Sequence, residues 1–344
     1  MISNEKLKAI KTVISHDNCP DGTASAIILH DALPNAEIRY VQYGSDAHKY
    51  LPATEGMLFC DFSPPADRAA EFVAAGAIVL DHHKTAKSVV ELFGENGVFA
   101  DESADPGVCG AVLAYRHVWK PMHLDRESDT SQGMRKQNPE LEPFIDQLAT
   151  LAGIRDTWQR RDHRWAAACV QASVLAFIPN KVWLSYPLTY TQAHWNDHFR
   201  PLGQLLVEKQ DKDVVRICEK GWHFSTEQGT RIIVIPSKGL TSDAAEYLDD
   251  KVDLVAGFGY TFEPGMDRPL LIVSTRSHTN FDCATFCKRY GGGGHTKAAG
   301  CSFAVEEEQP NPYTFIETLI RDYDNGRAIR GEIPASSNAG KMAL

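Results

Sequence analysis

Three things are missing from this 344-residue chain, and each absence removes a class of protein. No apolar segment reaches the roughly 18 residues that would suggest a membrane-spanning helix. The opening residues 1–11 have no long apolar core of the kind found in a secretory leader. A cytoplasmic protein with no membrane partner is therefore expected. The eight cysteines, at 19, 60, 109, 169, 218, 283, 287 and 301, contain no CxxC pair, which argues against a zinc knuckle and against a disulfide framework. Cys283 and Cys287 lie four apart on an expected helix and are spaced to share a metal, but packed, reduced core thiols are the simpler reading. Positive charge is scarce. A net charge of -10 opposes tight, sequence-blind binding to long nucleic acid, which is driven by phosphate neutralisation. Residues 271–300 reverse this locally, with Arg276, Lys288, Arg289 and Lys297 against Asp282, a net +3. An acidic protein with one basic patch suits a small anionic substrate.

The length accommodates two domains, each with its own core. Through about residue 120, short apolar runs alternate with helical stretches, the pattern of repeated strand-helix-strand units and hence of an α/β fold around a parallel sheet. Strands are expected near 11–15, 37–43, 57–61, 77–81 and 97–101, and helices near 23–33, 66–75 and 107–119. Residues 121–139 include a stretch with nothing apolar to bury and read as an exposed loop. Residues 201–220 have apolar residues at helical spacing among many charges, as a connecting helix would. Beyond Gly221 the pattern changes. Strands are expected at 231–235, 253–258 and 270–274, helices at 242–248, 280–290 and 312–323, and a disordered end from 331. The resulting domain division is 1–200, a 201–224 linker, 225–306, and a 307–344 tail. There is no internal repeat.

Three of the apolar runs end in hard ligands. Residues 12–15 lead into His16, Asp17 and Asp21; residues 57–60 lead into Asp61; and residues 77–80 lead into Asp81, His82 and His83. In open parallel sheets, ligands bind outside the carboxyl ends of the strands, so these groups converge. A single Asp at a strand end ordinarily caps a helix or turn; coincidence at three successive strand ends favours a metal site. Phosphodiester hydrolysis needs charge neutralised on phosphoryl oxygens and a water made nucleophilic, which two divalent ions about 3.5–4 Å apart provide. His16, Asp17, Asp21, Asp61, His82 and Asp156 are the candidate ligands. Mixed imidazole and carboxylate donors suit Mn2+, with Fe2+, Co2+ or Zn2+ also accommodated and Mg2+ less so.

The segments SHDNCPDGTASA, CDFSP, DHHK and GIRDTW resemble the four successive motifs of the DHH phosphoesterase superfamily, and STRSHTNFDCATFCKRYGGGGHTKAAG resembles the DHHA1 domain of RecJ-type and NrnA-type nanoRNase nucleases. The resemblance covers about residues 11–305. It implies an N-terminal parallel-sheet DHH domain, a smaller C-terminal α/β DHHA1 domain, a two-manganese active site in the cleft between them, and nucleotide substrates. By the same resemblance Asp61 bridges both ions, His82 and Asp156 hold one of them, His83 contacts the scissile phosphate, and Asp81 orients an imidazole. The first motif departs from the commonest form: Asp17 stands where a His is usual, His16 sits one residue earlier, and Thr23 replaces a second Asp. Asp17 and Asp21 are then the expected ligands, with His16 a ligand or close neighbour; a buried thiol is the ordinary reading of Cys19.

Four consecutive glycines before His295 allow backbone amides to approach an anion, although such a run is more often a plain loop. Within the resemblance, Arg276, Ser277, Gly292, Gly293, Gly294 and His295 hold the terminal phosphate and neighbouring base of the substrate, with Arg276 also stabilising charge at phosphorus. Lys288 and Lys297 add positive field or are merely solvated. Trp158, with Arg160 and Arg161, offers a stacking face for a base or else pins its helix. The expected activity is hydrolysis of short single-stranded RNA or DNA oligonucleotides or linear dinucleotides. The alternatives are a phosphatase on 3′,5′-bisphosphorylated adenosine, a cyclic-dinucleotide phosphodiesterase, and a metal-free binding scaffold; an inorganic pyrophosphatase would match the first domain only. A homodimer is left open.

Overall fold

The computed structural model describes residues 2–43, 45–101, 103–128, 140–185, 192–262, 268–305 and 311–326, with the backbone alone at 125–128 and 295. The chain forms two units, Met1–Glu208 and Lys209–Leu344, and the division falls inside one long helix, Arg200–Glu219. Residues 331–344, expected to be disordered, lie outside the described residues. Among the described residues, no helix is long and apolar enough to cross a membrane.

Five strands, β1 (Thr12–His16), β2 (Glu37–Val41), β3 (Met57–Cys60), β4 (Ile78–Asp81) and β5 (Gly97–Phe99), form the first unit's sheet in the order β2-β1-β3-β4-β5. Every pairing is parallel, so helices must cover both faces. Alternation along each strand assigns the faces. Val13, Leu58, Cys60, Ile78 and Leu80 pack with the helices that carry Ile28, Leu113 and Leu148. Ile14, Met57, Phe59 and Val79 pack on the opposite side with Phe62, Phe72 and Val89.

This strand order puts the switch in winding direction between β1 and β3. The chain leaves β1 for one flank of the sheet and returns to the other, and ligands bind at such a point because the connections diverge there. His16 ends β1, and Asp61 follows β3 immediately. The two strands are in register, with Ser15 opposite Cys60, so His16 and Asp61 leave the sheet side by side.

Residues 121–128, expected to belong to a loop, are helical. Helix continues from Gly110 through a π-type turn at Tyr115–Trp119 to Ser128. Met122 is still buried, and each further helical residue adds a hydrogen bond once a helix is nucleated, so the polar residues 126–128 extend it. Residues 129–139 lie outside the described residues.

The second unit has six strands, β6 (Trp222–Ser225), β7 (Arg231–Ile235), β8 (Leu254–Thr261), β9 (Leu270–Ser277), β10 (Gly293–His295) and β11 (Ala298–Ala304), in the order β10-β11-β9-β8-β7-β6. Only β7 and β8 pair in parallel. The helices Thr241–Leu248, Cys283–Arg289 and Pro312–Asp324 match those expected. β6, β10 and β11 were not expected, since the glycine run and short alternating segments carry little strand signal. Cys283 and Cys287 are buried in this unit's core, and Cys287 Sγ lies 3.5 Å from Thr275 Oγ1. Packed thiols describe them.

One glycine ties the first unit's packing to its strand ends. A Cβ at Gly110, the first residue of the Gly110–Ala114 helix, would lie 2.3 Å from Asp61 Cβ and 2.9 Å from Ser25 Oγ. Gly110→Ala should therefore destabilise the protein by roughly 1–3 kcal/mol, as overpacked cores do, read as a lower urea midpoint. An unchanged midpoint would mean that the turn at Asp61 relaxes without cost.

Candidate metal centre

Asp61 is 1% exposed and has a left-handed backbone, φ +55°, a conformation that costs a non-glycine residue on the order of 1–3 kcal/mol. Its amide donates to Leu80 O at 3.0 Å, which fixes the turn to β4. The turn sends its two oxygens in different directions. Oδ1 lies 3.1 Å from His82 Nε2 and 3.9 Å from His83 Nδ1. Oδ2 faces His16 Nδ1 at 3.6 Å, and neither of these two buried atoms has a hydrogen-bond partner among the described residues.

His82 Nε2 also lies 3.6 Å from Asp21 Oδ2 and 3.5 Å from Asp156 Oδ2. Three sets of metal-capable atoms result, each within 4.8 Å: His16, Cys19 and Asp61; Asp61, His82 and His83; and Asp21, His82 and Asp156. Asp61 and His82 each belong to two sets. Asp156 is the last residue of the Leu141–Asp156 helix, where the helix dipole already places negative charge, so its carboxylate needs a positive neighbour. Asp21 has the opposite situation. Its oxygens accept the amides of Gly110 and Ala111 at 2.6 and 2.8 Å, capping the positive end of that helix from 89 residues away. A carboxylate has about four lone-pair sites, so capping leaves Asp21 free to face a cation as well.

Asp17 stands apart. Its oxygens accept from Asn18 N at 2.9 Å, Asn18 Nδ2 at 3.1 Å and Asn180 Nδ2 at 2.9 Å, and no metal-capable set among the described residues includes it. Asn180 Oδ1 lies 2.8 Å from Thr23 Oγ1, so Asp17, Asn180 and Thr23 brace the loop. Asp81 is wholly buried and acts through His83. Asp81 Oδ1 accepts from His83 N at 3.0 Å and lies 2.7 Å from His83 Nδ1. Ser63 Oγ donates to Asp81 Oδ2 at 2.5 Å, and Tyr43 OH accepts Ser63 N at 2.9 Å. Sequence reasoning missed Ser63, Tyr43 and Asn180. Ser63 sits inside the CDFSP motif and Tyr43 just past the end of β2, where the strand-end rule reaches; nothing marks Asn180. Trp158 is half-buried with φ +57°, its ring 4.2 Å from the guanidinium of Arg155 and 5.3 Å from the Trp165 ring.

The phosphate-binding candidates belong to the second unit. Arg276 on β9 donates from Nε to Ser242 Oγ and from Nη1 to Thr275 O, both at 2.9 Å. Ser277 Oγ accepts Thr279 N at 3.2 Å, and Lys297 Nζ donates to Thr279 O. Gly292 N donates to Cys287 O at 2.9 Å. Gly293 and Gly294 lie in β10, an edge strand paired to β11. Successive amides of a strand point to opposite sides, so these glycines make a sheet edge where a concave cradle had been expected. The side chain of His295 lies outside the described residues.

Charge in the first unit is balanced by protons. Burial opposes a charged ring at His82, but the Asp61 hydrogen bond and the fields of Asp156, Asp61 and Asp21 push it up to about 10. His83 is likewise pushed up to about 9, its burial overcome by Asp81. Burial raises Asp21 and Asp156, whereas the imidazoles outweigh burial at Asp61 and Asp81 and hold both low.

No family model and no curated protein matches the chain. Among solved structures, it is similar to the DHH domain of a member of a ribosomal-protein family, with 14% identity and a TM-score of 0.57, covering 94% of this chain and 88% of that one. It is also similar to RecJ from Thermus thermophilus in complex with Mn2+, with 16% identity and a TM-score of 0.54, covering 99% of this chain but 55% of RecJ. A looser overlay, TM-score 0.44 at 14% identity, relates 92% of the chain to all of a pGpG-specific phosphodiesterase, PggH from Vibrio. The fold is that of the DHH-domain proteins.

Raised histidine values fix the sign of a pH effect. Both folded values lie above the ordinary 6.5, so the charged rings stabilise the metal-free chain fully below about pH 6.5, and this contribution is lost as pH rises through about 9 to 10. In the presence of chelator, the melting temperature should fall between about pH 7 and pH 10. A saturating divalent cation should remove most of that fall by replacing the protons. Thermal unfolding with and without cation checks it, and parallel pH profiles would contradict it.

Proposed function

We propose that the chain is a metal-dependent phosphoesterase that hydrolyses short oligonucleotides or linear dinucleotides to mononucleotides. One observation carries this reading: the two oxygens of Asp61 face different ligand sets, as a carboxylate bridging two cations does. His16, Asp21, Asp61, His82 and Asp156 would hold the pair. The donor types suit manganese, and the RecJ neighbour with its Mn2+ supports that choice. Two divalent ions so placed supply charge neutralisation and a water activated near neutral pH.

The chain's own groups do the rest. Asp81 pairs with one nitrogen of His83 and favours the charged ring in the metal-free chain, leaving Nε2 for donation to a phosphoryl oxygen. Arg276 Nη2 has no acceptor among the described residues, which leaves one edge of a held guanidinium for a terminal phosphate. Ser277, Gly292, Gly293, Gly294 and His295 complete the proposed phosphate and base contacts. On this reading an end phosphate is a recognition element, and short substrates that carry one are favoured.

Manganese-supplemented hydrolysis of linear dinucleotides such as pGpG and pApA, longer RNA oligomers, bisphosphorylated adenosine and cyclic dinucleotides, resolved by chromatography, tests the substrate. Linear dinucleotides should turn over fastest; equal rates on long strands would remove the length restriction, and preference for bisphosphorylated adenosine would make the chain a phosphatase. Asp61→Asn should lose bound manganese and activity together, so normal manganese content in that variant would refute bridging. Arg276→Ala should act mainly on KM; an equal fall in kcat at constant KM would move Arg276 to the transition state.

A further inference from the structure

We propose that Cys19 is a thiolate ligand of one of the two cations, making that position a mixed imidazole, thiolate and carboxylate site that selects thiophilic ions over magnesium and manganese. The inference rests on the two-cation reading and deepens it. Cys19 immediately precedes the Pro20–Ala32 helix, with extended backbone at φ -123° and ψ 128°. Its Sγ, a His16 ring nitrogen and an Asp61 oxygen lie within 4.8 Å of one another, and no other cysteine among the described residues joins such a set.

A second, independent observation points to a ligand here. Asp61 is 1% exposed, yet its Oδ2 has no hydrogen-bond partner among the described residues, and neither has the buried His16 Nδ1 facing it at 3.6 Å. Two buried polar atoms left unbonded are costly, and a cation between them removes the cost. Metal–nitrogen and metal–oxygen bonds of about 2.0–2.2 Å and metal–sulfur bonds of about 2.3 Å in a tetrahedral shell place ligand atoms roughly 3.3–3.7 Å apart. The His16–Asp61 spacing already fits.

Cys19 occupies an N-cap position but makes no side-chain capping bond, and Ser, Thr, Asn or Asp serve that purpose. It belongs to neither core cluster of the first unit's sheet, unlike Cys60 and Cys109, and Cys60 Sγ is taken up by Gly110 O at 3.3 Å. On coordination the S–H bond breaks, the sulfur–metal bond forms, and the proton passes to solvent with no change of oxidation state. Thiolates favour zinc, cadmium, cobalt and ferrous iron over the harder ions. The Asp21, His82 and Asp156 set contains no sulfur, so the two positions should differ in preference.

The full chain, stripped of metal and titrated with Co2+, provides the test. The parent should bind two ions and show a thiolate-to-cobalt charge-transfer band in the near ultraviolet. Cys19→Ser should lose the band and bind one Cd2+ roughly tenfold or more weakly, whereas Cys169→Ser should keep the band. Cys19→Asp should bind two ions without the band and shift preference from Cd2+ towards Mn2+, and circular dichroism of the metal-free variants confirms that each is folded. Two cobalt ions bound by the parent without the band, or a band that survives in Cys19→Ser, would overturn the role of Cys19 and leave the two-cation reading standing. A parent that binds no cobalt would overturn both.

Discussion

A carboxylate sealed from water between imidazoles is the constraint around which the first unit is arranged. Asp61 is almost wholly buried, and a buried anion persists only if positive charge and hydrogen bonds replace its lost hydration. Its left-handed backbone, the missing Cβ at Gly110, and the side-by-side exit of β1 and β3 all serve to place that one group. Each has a cost or a restriction that a merely structural aspartate at a strand end would not impose. Strain of this kind persists where the surrounding structure over-determines it.

The neighbouring acids are arranged by helix ends of opposite sign. Asp21 caps the amino end of the Gly110–Ala114 helix and would be favourably placed even with no ion nearby. Asp156 sits at a carboxyl end, where only an imidazolium or a cation relieves it. Around His83 the organisation is different again: a buried chain from Tyr43 through Ser63 to Asp81 fixes the ring. Hydrogen-bonded partners of this sort hold a functional imidazole in one orientation.

Much of this was legible in the residues. Strand ends that carry His16, Asp61 and His82 after short apolar runs foretold both the parallel sheet and the meeting of these side chains, because continuous apolar runs and strand-end chemistry are local signals. Partners set by tertiary approach were not legible. Asn180 reaches Asp17 across 163 residues, and no spacing rule marks it. Sequence favoured Asp17 over His16 as a ligand, whereas it is His16 that faces Asp61 and Asp17 that bonds to Asn18 and Asn180, since neighbouring residues at a strand end diverge according to the turn that follows. The strand formed by the glycines before His295 was not legible either: a run of glycines is compatible with a nest or a strand, and pairing with β11 decides its backbone.

The double hydrogen bond from Gly110 and Ala111 to Asp21 has a genetic consequence. That helix is held by Val112, Leu113 and Ala114 in the core, so a change in packing there tilts the carboxylate it grips. Substitutions that disturb this carboxylate need not fall on charged residues; some will be of aliphatic side chains that touch nothing reactive.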